Sequence, residues 1–281
     1  MSTPLPVAFQ GEPGANGDIA SRLVFPDRDT LPCLEFEDVF SAVESGAAEY
    51  ALIPIDNSIA GRVAMIHTLL PHATTHIIGE HFQPIEHVLL GLPGATLESV
   101  KKVRSHVHAL AQCRKFIAQH GFQAEVAQDT AGAAREVSEL GDPTIAALAP
   151  ALAGELYGLI PLAAKIADHD ENVTRFLVLS LTEQMPPNDG RPVITSLFFR
   201  LKSVPAALYN AIGGFAKDGI NLLKLESYLG EHFQTAFFYI EALGHPENER
   251  MHDALEILKS FSEEVRILGT YPASPFREGI H

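Results

Sequence analysis

The residues best suited to chemistry in this 281-residue chain gather in Asp168-His169-Asp170-Glu171-Asn172-Val173-Thr174-Arg175-Phe176. Charges and amides end there in a hydroxyl and a guanidinium, and Phe176 to Leu179 continues as an apolar run that reads as a buried strand. Thr174 and Arg175 therefore stand at the mouth of a rigid element, where polar groups can be held against a ligand. Three other polar groups follow strands or open helices. Asp56-Asn57-Ser58-Ile59-Ala60-Gly61 follows the strand-like Tyr50 to Ile55. It either satisfies local backbone groups or points amide and hydroxyl donors at a ligand. Ser105-His106 opens a helical stretch to about Gln119, with Ser105 as the N-cap and His106 facing a ligand. A Ser–His nucleophile is disfavoured here, because adjacent residues rarely face each other and no orienting acid is evident. Asp129-Thr130-Ala131 is a second hydroxyl-led helix start, running on through Val137.

The elements that must position these groups alternate. Pro6 to Phe9 reads as a strand, followed by the glycine loop Gln10 to Asp18 and a helix to Leu23. Strand, loop and helix start form an anion-binding layout, since N–H groups at a helix N-terminus are unpaired. Pro13 stands where a dinucleotide fingerprint needs its middle glycine, which excludes a nucleotide. The alternative is a tight turn and nothing more. Helices are expected around Val39 to Val43 and Val63 to Leu70, and strands at Ile77-Ile78 and Val88 to Leu90. A further strand spans Thr144 to Ala149, and Pro150 to Leu156 is a helix. His67, His72, His76, His81 and His87 have no metal-ligand spacing and read as solvated or core-capping. The alternation argues an α/β architecture with a largely parallel sheet over residues 1–182.

Glu183 to Pro192 is proline-rich, polar and linker-like. Beyond it the pattern becomes strand Ile194 to Leu201, helix Pro205 to Lys217, and strands Asn221 to Tyr228 and Phe233 to Glu241, meeting near Gly230. Helix Glu247 to Glu264 and strand Val265 to Gly269 complete a β-α-β-β-α-β, ferredoxin-like unit over residues 193–271. Residues 272–281 read as a frayed tail.

Composition bounds the function. Hydrophobic residues make up 46%, charged residues 20%, and the net charge is −15, which disfavours nucleic-acid or anionic-membrane partners. An anionic ligand must then be held by a local pocket. Cys33 and Cys113 form no disulfide framework or metal site and are expected to be free thiols. No signal peptide or spanning segment is evident, so a cytoplasmic location is expected.

In order along the chain, these stretches resemble the prephenate dehydratases. Thr174-Arg175-Phe176 is similar to that family's T-R-F motif, and Ile53 to Gly61 to its P-[IL]-E-N-S-x-x-G segment. Ser105-His106 with Ala109, Leu110, Gln112 and Cys113 resembles S-H-P-Q-A-L-x-Q-C, and Asp129-Thr130-Ala131 with Ala133 and Ala134 resembles S-T-A-x-A-A. Gly11 to Gly14 resembles the N-terminal G-x-x-G loop. Pro205 to Leu208 and Asn221 to Ser227 resemble the two signature stretches of an ACT regulatory domain. Departures include Asp56 for Glu, Val107-His108 for Pro-Gln, and Asn16-Gly17 for an aromatic and a Ser. In the ACT-like stretches Ala206 stands for a glycine and Tyr228-Leu229 for Arg-Pro.

The resemblance implies a bilobed, periplasmic-binding-protein-like catalytic domain followed by the ACT domain. It implies a cofactor-free, metal-free lyase that converts prephenate to phenylpyruvate, water and CO2, as a homodimer or homotetramer inhibited by phenylalanine. Thr174 takes the place of the general acid. Asn57, Ser58, Ser105, His106, Gln112, Thr130, Arg175 and Phe176 take the substrate positions; the alternative for Arg175 is to brace its loop through Asp168 or Asp170. Ala206, Ala207, Leu208, Asn221, Leu222, Glu226 and Ser227 take the effector positions. Arogenate dehydratase is a second enzyme reading. A non-catalytic amino-acid sensor is a third, but it has no need for the Thr174 hydroxyl.

Overall fold

The computed structural model describes residues 4–169, 171–229 and 235–277. Asp170, the turn at Gly230, the strand start at Phe233 and residues 278–281 lie outside them. In order, the elements are β1 (Val7–Gln10), α1 (Asn16–Val24), β2 (Thr30–Cys33), α2 (Phe36–Glu44), β3 (Tyr50–Asn57), β4 (Gly61–Arg62), α3 (Ala64–Leu69) and β5 (His76–Pro84). Then come β6 (Val88–Gly91), β7 (Lys102–Ser105), α4 (Val107–Gln112), α5 (Arg114–His120), β8 (Gln123–Val126), α6 (Thr130–Leu140), β9 (Ile145–Ala149), α7 (Ala151–Tyr157), β10 (Ile160–Ala163) and β11 (Val173–Ser180). The last six are β12 (Val193–Leu201), α8 (Ala207–Lys217), β13 (Leu222–Leu229), β14 (Thr235–Leu243), α9 (Glu249–Phe261) and β15 (Ser262–Pro272).

By packing, the chain divides into Met1–His67 with His81–Phe176, and Thr68–Glu80 with Leu177–His281. Residues 68–80, which the sequence pattern groups with the first domain, thus belong to the second unit. β5 and β11 run across the division.

The first unit is built on two sheets. One has the order β2-β1-β3-β11-β5 with β4 added on β3; the other has the order β10-β6-β9-β7-β8. The expected largely parallel sheet is instead mixed. β1 pairs parallel with β2 and β3, and β7 with β8 and β9, but β6 is antiparallel to both β9 and β10. A short, wholly buried apolar run such as Val88–Gly91 carries no signal of direction, so only the three-dimensional pairing reveals it. β2 and β10 have no counterpart in the sequence pattern. Both are edge strands and contain Pro32 and Pro161, and an edge is where a residue without an N–H is tolerated.

Small residues set the spacing around the glycine loop. Ala131, Ala133 and Ala134 of α6 pack with Phe9, Ala15, Ala147 and Ala153 in one core. Gly14 has φ +88°, and a Cβ there would lie 2.8 Å from Ala153 Cα. The glycine is therefore needed for contact between the loop and α7. Tyr157 of α7 secures that contact by donating to the Pro13 carbonyl at 3.0 Å.

In the second unit the elements follow β-α-β-β-α-β with sheet order β13-β14-β12-β15, and the three neighbouring pairs are antiparallel. α8 and α9 cover it with Ala211, Phe215, Ala254, Leu255 and Leu258 against Leu197, Phe199 and Ile240. α9 stops at Phe261, short of the expected Glu264, because β15 begins at Ser262 to pair along β12. The described part of the expected frayed tail is anchored: Ser274 N–H and the Arg277 guanidinium both bind the Glu80 carboxylate.

Candidate active site

A cavity of about 590 Å³ lies in the first unit. The N-terminal end of α1, the β3–α3 segment, α4, the start of α6 and the outer end of β11 supply its walls. Asn172, Thr174 and Phe176 all line it, which is the two-residue alternation of a strand. Arg175 therefore points away. It is 5% exposed, its Nη1 lies 3.8 Å from Asp56 Oδ2 on β3, and its guanidinium sits 6.0 Å from the centre of the Phe82 ring on β5. These are the strands flanking β11, so Arg175 braces the sheet through Asp56 rather than through Asp168. Asp168 is engaged elsewhere, since its N–H donates to the Gln112 carbonyl at 2.6 Å and its Oδ1 accepts from Lys115 N at 3.1 Å.

The bond to the Gln112 carbonyl lies at a helix break. The expected single helix is divided at Cys113 (φ −117°, ψ 22°) into α4 and α5, leaving Gln112 at the end of α4 with its side chain in the cavity wall. The Cys113 thiol is buried, and burial followed by the Asp168 charge pushes its pKa up to about 12.

The polar wall is one hydrogen-bonded chain. Asn57 Oδ1 accepts from Ile59 N–H at 3.0 Å and Ala60 N–H at 2.7 Å. Asn57 Nδ2 donates to Thr174 Oγ1 at 2.9 Å and to Asn172 Oδ1 at 2.7 Å. Asn172 Nδ2 donates to Gln112 Oε1 at 2.9 Å, and the same oxygen lies 2.8 Å from His87 Nε2. Because Thr174 Oγ1 already accepts, its own hydrogen is available to donate.

His106 is the true N-cap of α4; its Nδ1 accepts from His108 N–H at 3.3 Å, which puts the neutral ring's hydrogen on Nε2. Burial and the neighbouring His108 lower the pKa of His106, against an opposing pull from Asp129. Thr130 lines the cavity in the first turn of α6, where Asp129 Oδ1 caps Gly132 N–H at 2.6 Å. Glycine-loop residues Gly11, Ala15, Asn16 and Gly17 also line it.

Besides Arg175, two more expected substrate residues are elsewhere. Ser105 is fully buried and donates to the Leu148 carbonyl at 2.6 Å, joining β7 to β9 instead of capping α4. Ser58 accepts from Val173 N–H at 3.0 Å and donates to the Glu171 carbonyl at 3.3 Å, stitching the loop after β3 to the start of β11. Sequence reasoning missed His87, Asn172 and Arg62. Strand alternation from Thr174 would have found Asn172. Arg62, at the exposed mouth, is the only Lys or Arg among the described residues that line the cavity.

In the second unit, Ala206 precedes α8 with φ +60°, a left-handed position, and Ala207 and Leu208 open that helix. Asn221 precedes β13, which carries Leu222, Glu226 and Ser227 along the sheet edge. Among the described residues no group of three His, Cys, Asp or Glu side chains could hold a metal, and no helix is long and apolar enough to cross a membrane.

The profile of the family described as "Prephenate dehydratase" matches residues 7–184. The chain belongs to the prephenate dehydratase family. A Komagataeibacter europaeus protein named "Bifunctional N-acyl-homoserine lactone acylase/prephenate dehydratase" is 46% identical over 96% of this chain and 97% of its own length. The Arabidopsis thaliana "Arogenate dehydratase/prephenate dehydratase 1, chloroplastic" is 39% identical, covering 95% of this chain and 71% of that protein. The solved structure of an Arthrobacter aurescens prephenate dehydratase in complex with L-Phe superposes with a TM-score of 0.87 at 31% identity, covering 96% of this chain and 92% of that one. The family match covers β1 to β11, and so every residue of the cavity.

Proposed function

We propose that the cavity binds prephenate and carries out its decarboxylative dehydration to phenylpyruvate, water and CO2, with Thr174 as the donor to the leaving hydroxyl. The observation that carries this reading is the 2.9 Å bond from Asn57 Nδ2 to Thr174 Oγ1, which occupies a lone pair of the cavity-lining hydroxyl and leaves its hydrogen available to donate. The electron pair of the breaking C–CO2 bond enters the ring, and the C–O pair leaves with the hydroxyl. Aromatisation drives the step, so no covalent intermediate is required. The departing hydroxide is protonated through Thr174, whose proton solvent restores. A positioned donor of this kind is worth about 10²–10⁴-fold.

The two carboxylates of the substrate meet few formal charges. Arg62, the His106 Nε2–H, the Thr130 hydroxyl and the α1 amide groups are the donors offered to the side-chain carboxylate. Phe36, Leu52, Pro54 and Phe176 give the ring carboxylate a poorly solvated place from which to lose its charge. Arg175 and Ser58 act by positioning, whereas Ser105 holds β7 to β9.

Residues 1–182 form the bilobed catalytic module, apart from residues 68–80 and 177–182, which pack with the second unit, and residues 193–271 form a ferredoxin-like ACT module that follows the linker 183–192. Its β-α-β-β-α-β order and the signature stretches at Ala206–Leu208 and Asn221–Ser227 support phenylalanine as the effector. The protein works in the cytoplasm as a homodimer or homotetramer; light scattering tests the number. Prephenate and arogenate are assayed side by side with wild type, Thr174→Ala and Thr174→Ser. Fast wild-type turnover, a loss of ~10²-fold or more in Thr174→Ala and partial retention in Thr174→Ser support the reading. Equal rates in all three refute the role of Thr174.

A second reading draws on the Komagataeibacter relative. Ala60, Val63, Ala64 and Met65 give the cavity mouth an apolar wall that a small dianion does not require. Release of homoserine lactone from an N-acyl-homoserine lactone would support an acyl-chain site there, and no release would remove it.

A further inference from the structure

The chain of amides that ends at Thr174 has a second end, and the roles along it can be assigned atom by atom. Backbone N–H groups can only donate, so the Asn57 atom facing Ile59 and Ala60 is its oxygen. Its NH2 then donates to Asn172, whose oxygen must face it, and the Asn172 NH2 is turned to Gln112. Gln112 thus presents an oxygen to His87 Nε2, and an oxygen already accepting from Asn172 obliges that nitrogen to carry hydrogen. In the neutral ring the lone pair is left on Nδ1. Burial lowers the His87 pKa, in the direction that keeps the ring neutral, against a smaller opposing effect of the Gln112 bond.

His87 is 4% exposed and lines the cavity, and its Nδ1 is buried with no hydrogen-bond partner among the described residues. Buried acceptors are normally satisfied, and one left open in a cavity wall marks the place of a ligand donor. At neutral pH both carboxylates and the keto group of prephenate only accept. Its ring hydroxyl is the donor it has.

We propose that His87 Nδ1 accepts a hydrogen bond from the ring hydroxyl of the substrate, turning a lone pair of that oxygen toward the Thr174 O–H. The inference rests on the reading of the cavity given above and assigns a group to the hydroxyl's hydrogen, as Thr174 is assigned to its oxygen. One amide chain then fixes an acceptor at one end and a donor at the other. The hydroxyl hydrogen that faces His87 Nδ1 stays on its oxygen and leaves with the departing water, so the imidazole is neutral before and after turnover. The contact is made equally by prephenate and arogenate, which share the ring hydroxyl.

The test separates the two ring nitrogens. His87→Gln places a polar atom near Nε2, keeps the bond to Gln112 and removes the Nδ1 acceptor. His87→Asn places an amide oxygen near Nδ1 and gives up the Gln112 bond. With prephenate and with arogenate, His87→Gln is expected to lower kcat about 10–100-fold with KM changed less than about threefold, and His87→Asn to recover about tenfold of the loss. An unaltered kcat in His87→Gln, or equal losses in both variants, overturns the proposal. A wild type inactive on both substrates overturns the cavity reading and this proposal with it; an active wild type with an unaffected His87→Gln overturns this proposal alone. Independently of those variants, ¹⁵N NMR of histidine-labelled Thr174→Ala protein should show His87 Nδ1 unprotonated and moving upfield on addition of prephenate. A protonated Nδ1, or no movement at saturating prephenate, would count against it decisively.

Discussion

Each unit of this protein buries a polar network, and the two are finished differently. In the second unit Tyr239 OH donates to Glu241 Oε1 at 2.6 Å, and the Ser196 hydroxyl lies 2.8 Å from Tyr271 OH and 3.3 Å from Tyr239 OH. Arg277 binds Glu80 through Nε and Nη2 at 2.8 and 3.1 Å, and its Nη2 lies 3.6 Å from Glu241 Oε2. In that network every polar group named has a protein partner, and both carboxylates face one guanidinium. The amide chain of the first unit is as well ordered but ends in an uncommitted hydroxyl hydrogen and an uncommitted ring nitrogen, both at a cavity wall. A closed network specifies a packing; an open one specifies a ligand. Burial and residue type alone do not tell them apart. Hydrogen-bond accounting does.

The comparison predicts where damage falls. Arg277→Met should be the most destructive change, since it leaves the buried carboxylates of Glu80 and Glu241 without their shared cation; a loss of about 3–5 kcal/mol in urea unfolding is expected, and a change near zero would mean that the network is not closed. Asn57→Ala should cost ~10²-fold in kcat by freeing Thr174 Oγ1 and letting Asn172 and Gln112 rotate, with stability changed much less. The reverse pattern, lost stability with intact turnover, would make the amide chain structural. Ser105→Ala should lower stability by about 1–2 kcal/mol, because the Leu148 carbonyl loses its donor, while kcat and KM of the folded fraction hold.

A smaller effect follows from pH. His87 titrates below its ordinary value of 6.5. As pH falls through that value the unfolded chain takes up a proton that the buried ring refuses, so this contribution favours unfolding increasingly under acid conditions. His87→Gln should flatten that part of the stability profile below 6.5. Ala206→Gly should have the smallest effect. The left-handed backbone costs an L-residue roughly 1–2 kcal/mol and the added chain entropy returns about 0.4–1, so a net gain of about 0.5–1 kcal/mol is expected from thermal melts.

Much of the architecture is legible in the chain, because buried strands and amphipathic helices have local signatures. The β-α-β-β-α-β order of the second unit and most helices of the first follow from periodicity alone. Strand direction does not, as β6 illustrates, and neither do edge strands that contain proline. In the site, Thr174, Asn57, His106, Gln112, Thr130 and Phe176 converge on one cavity, whereas Arg175 turns away. That turn was readable: adjacent residues of a strand face opposite sides, so a cavity-facing Thr174 excludes its neighbour. His87 was not readable in this way. Five scattered histidines share one residue type, and only the long-range bond to Gln112 distinguishes this one.

The tie between Arg277 and Glu80 spans 197 positions. Glu80 leaves the ribosome in the middle of β5, and its guanidinium follows roughly 10–40 s later at ordinary rates of synthesis. Through that interval the carboxylate lacks this guanidinium, and the contact adds nothing to the packing of β5. The contact that ties the C-terminal segment to β5 is therefore a late one, made only after translation has passed residue 277.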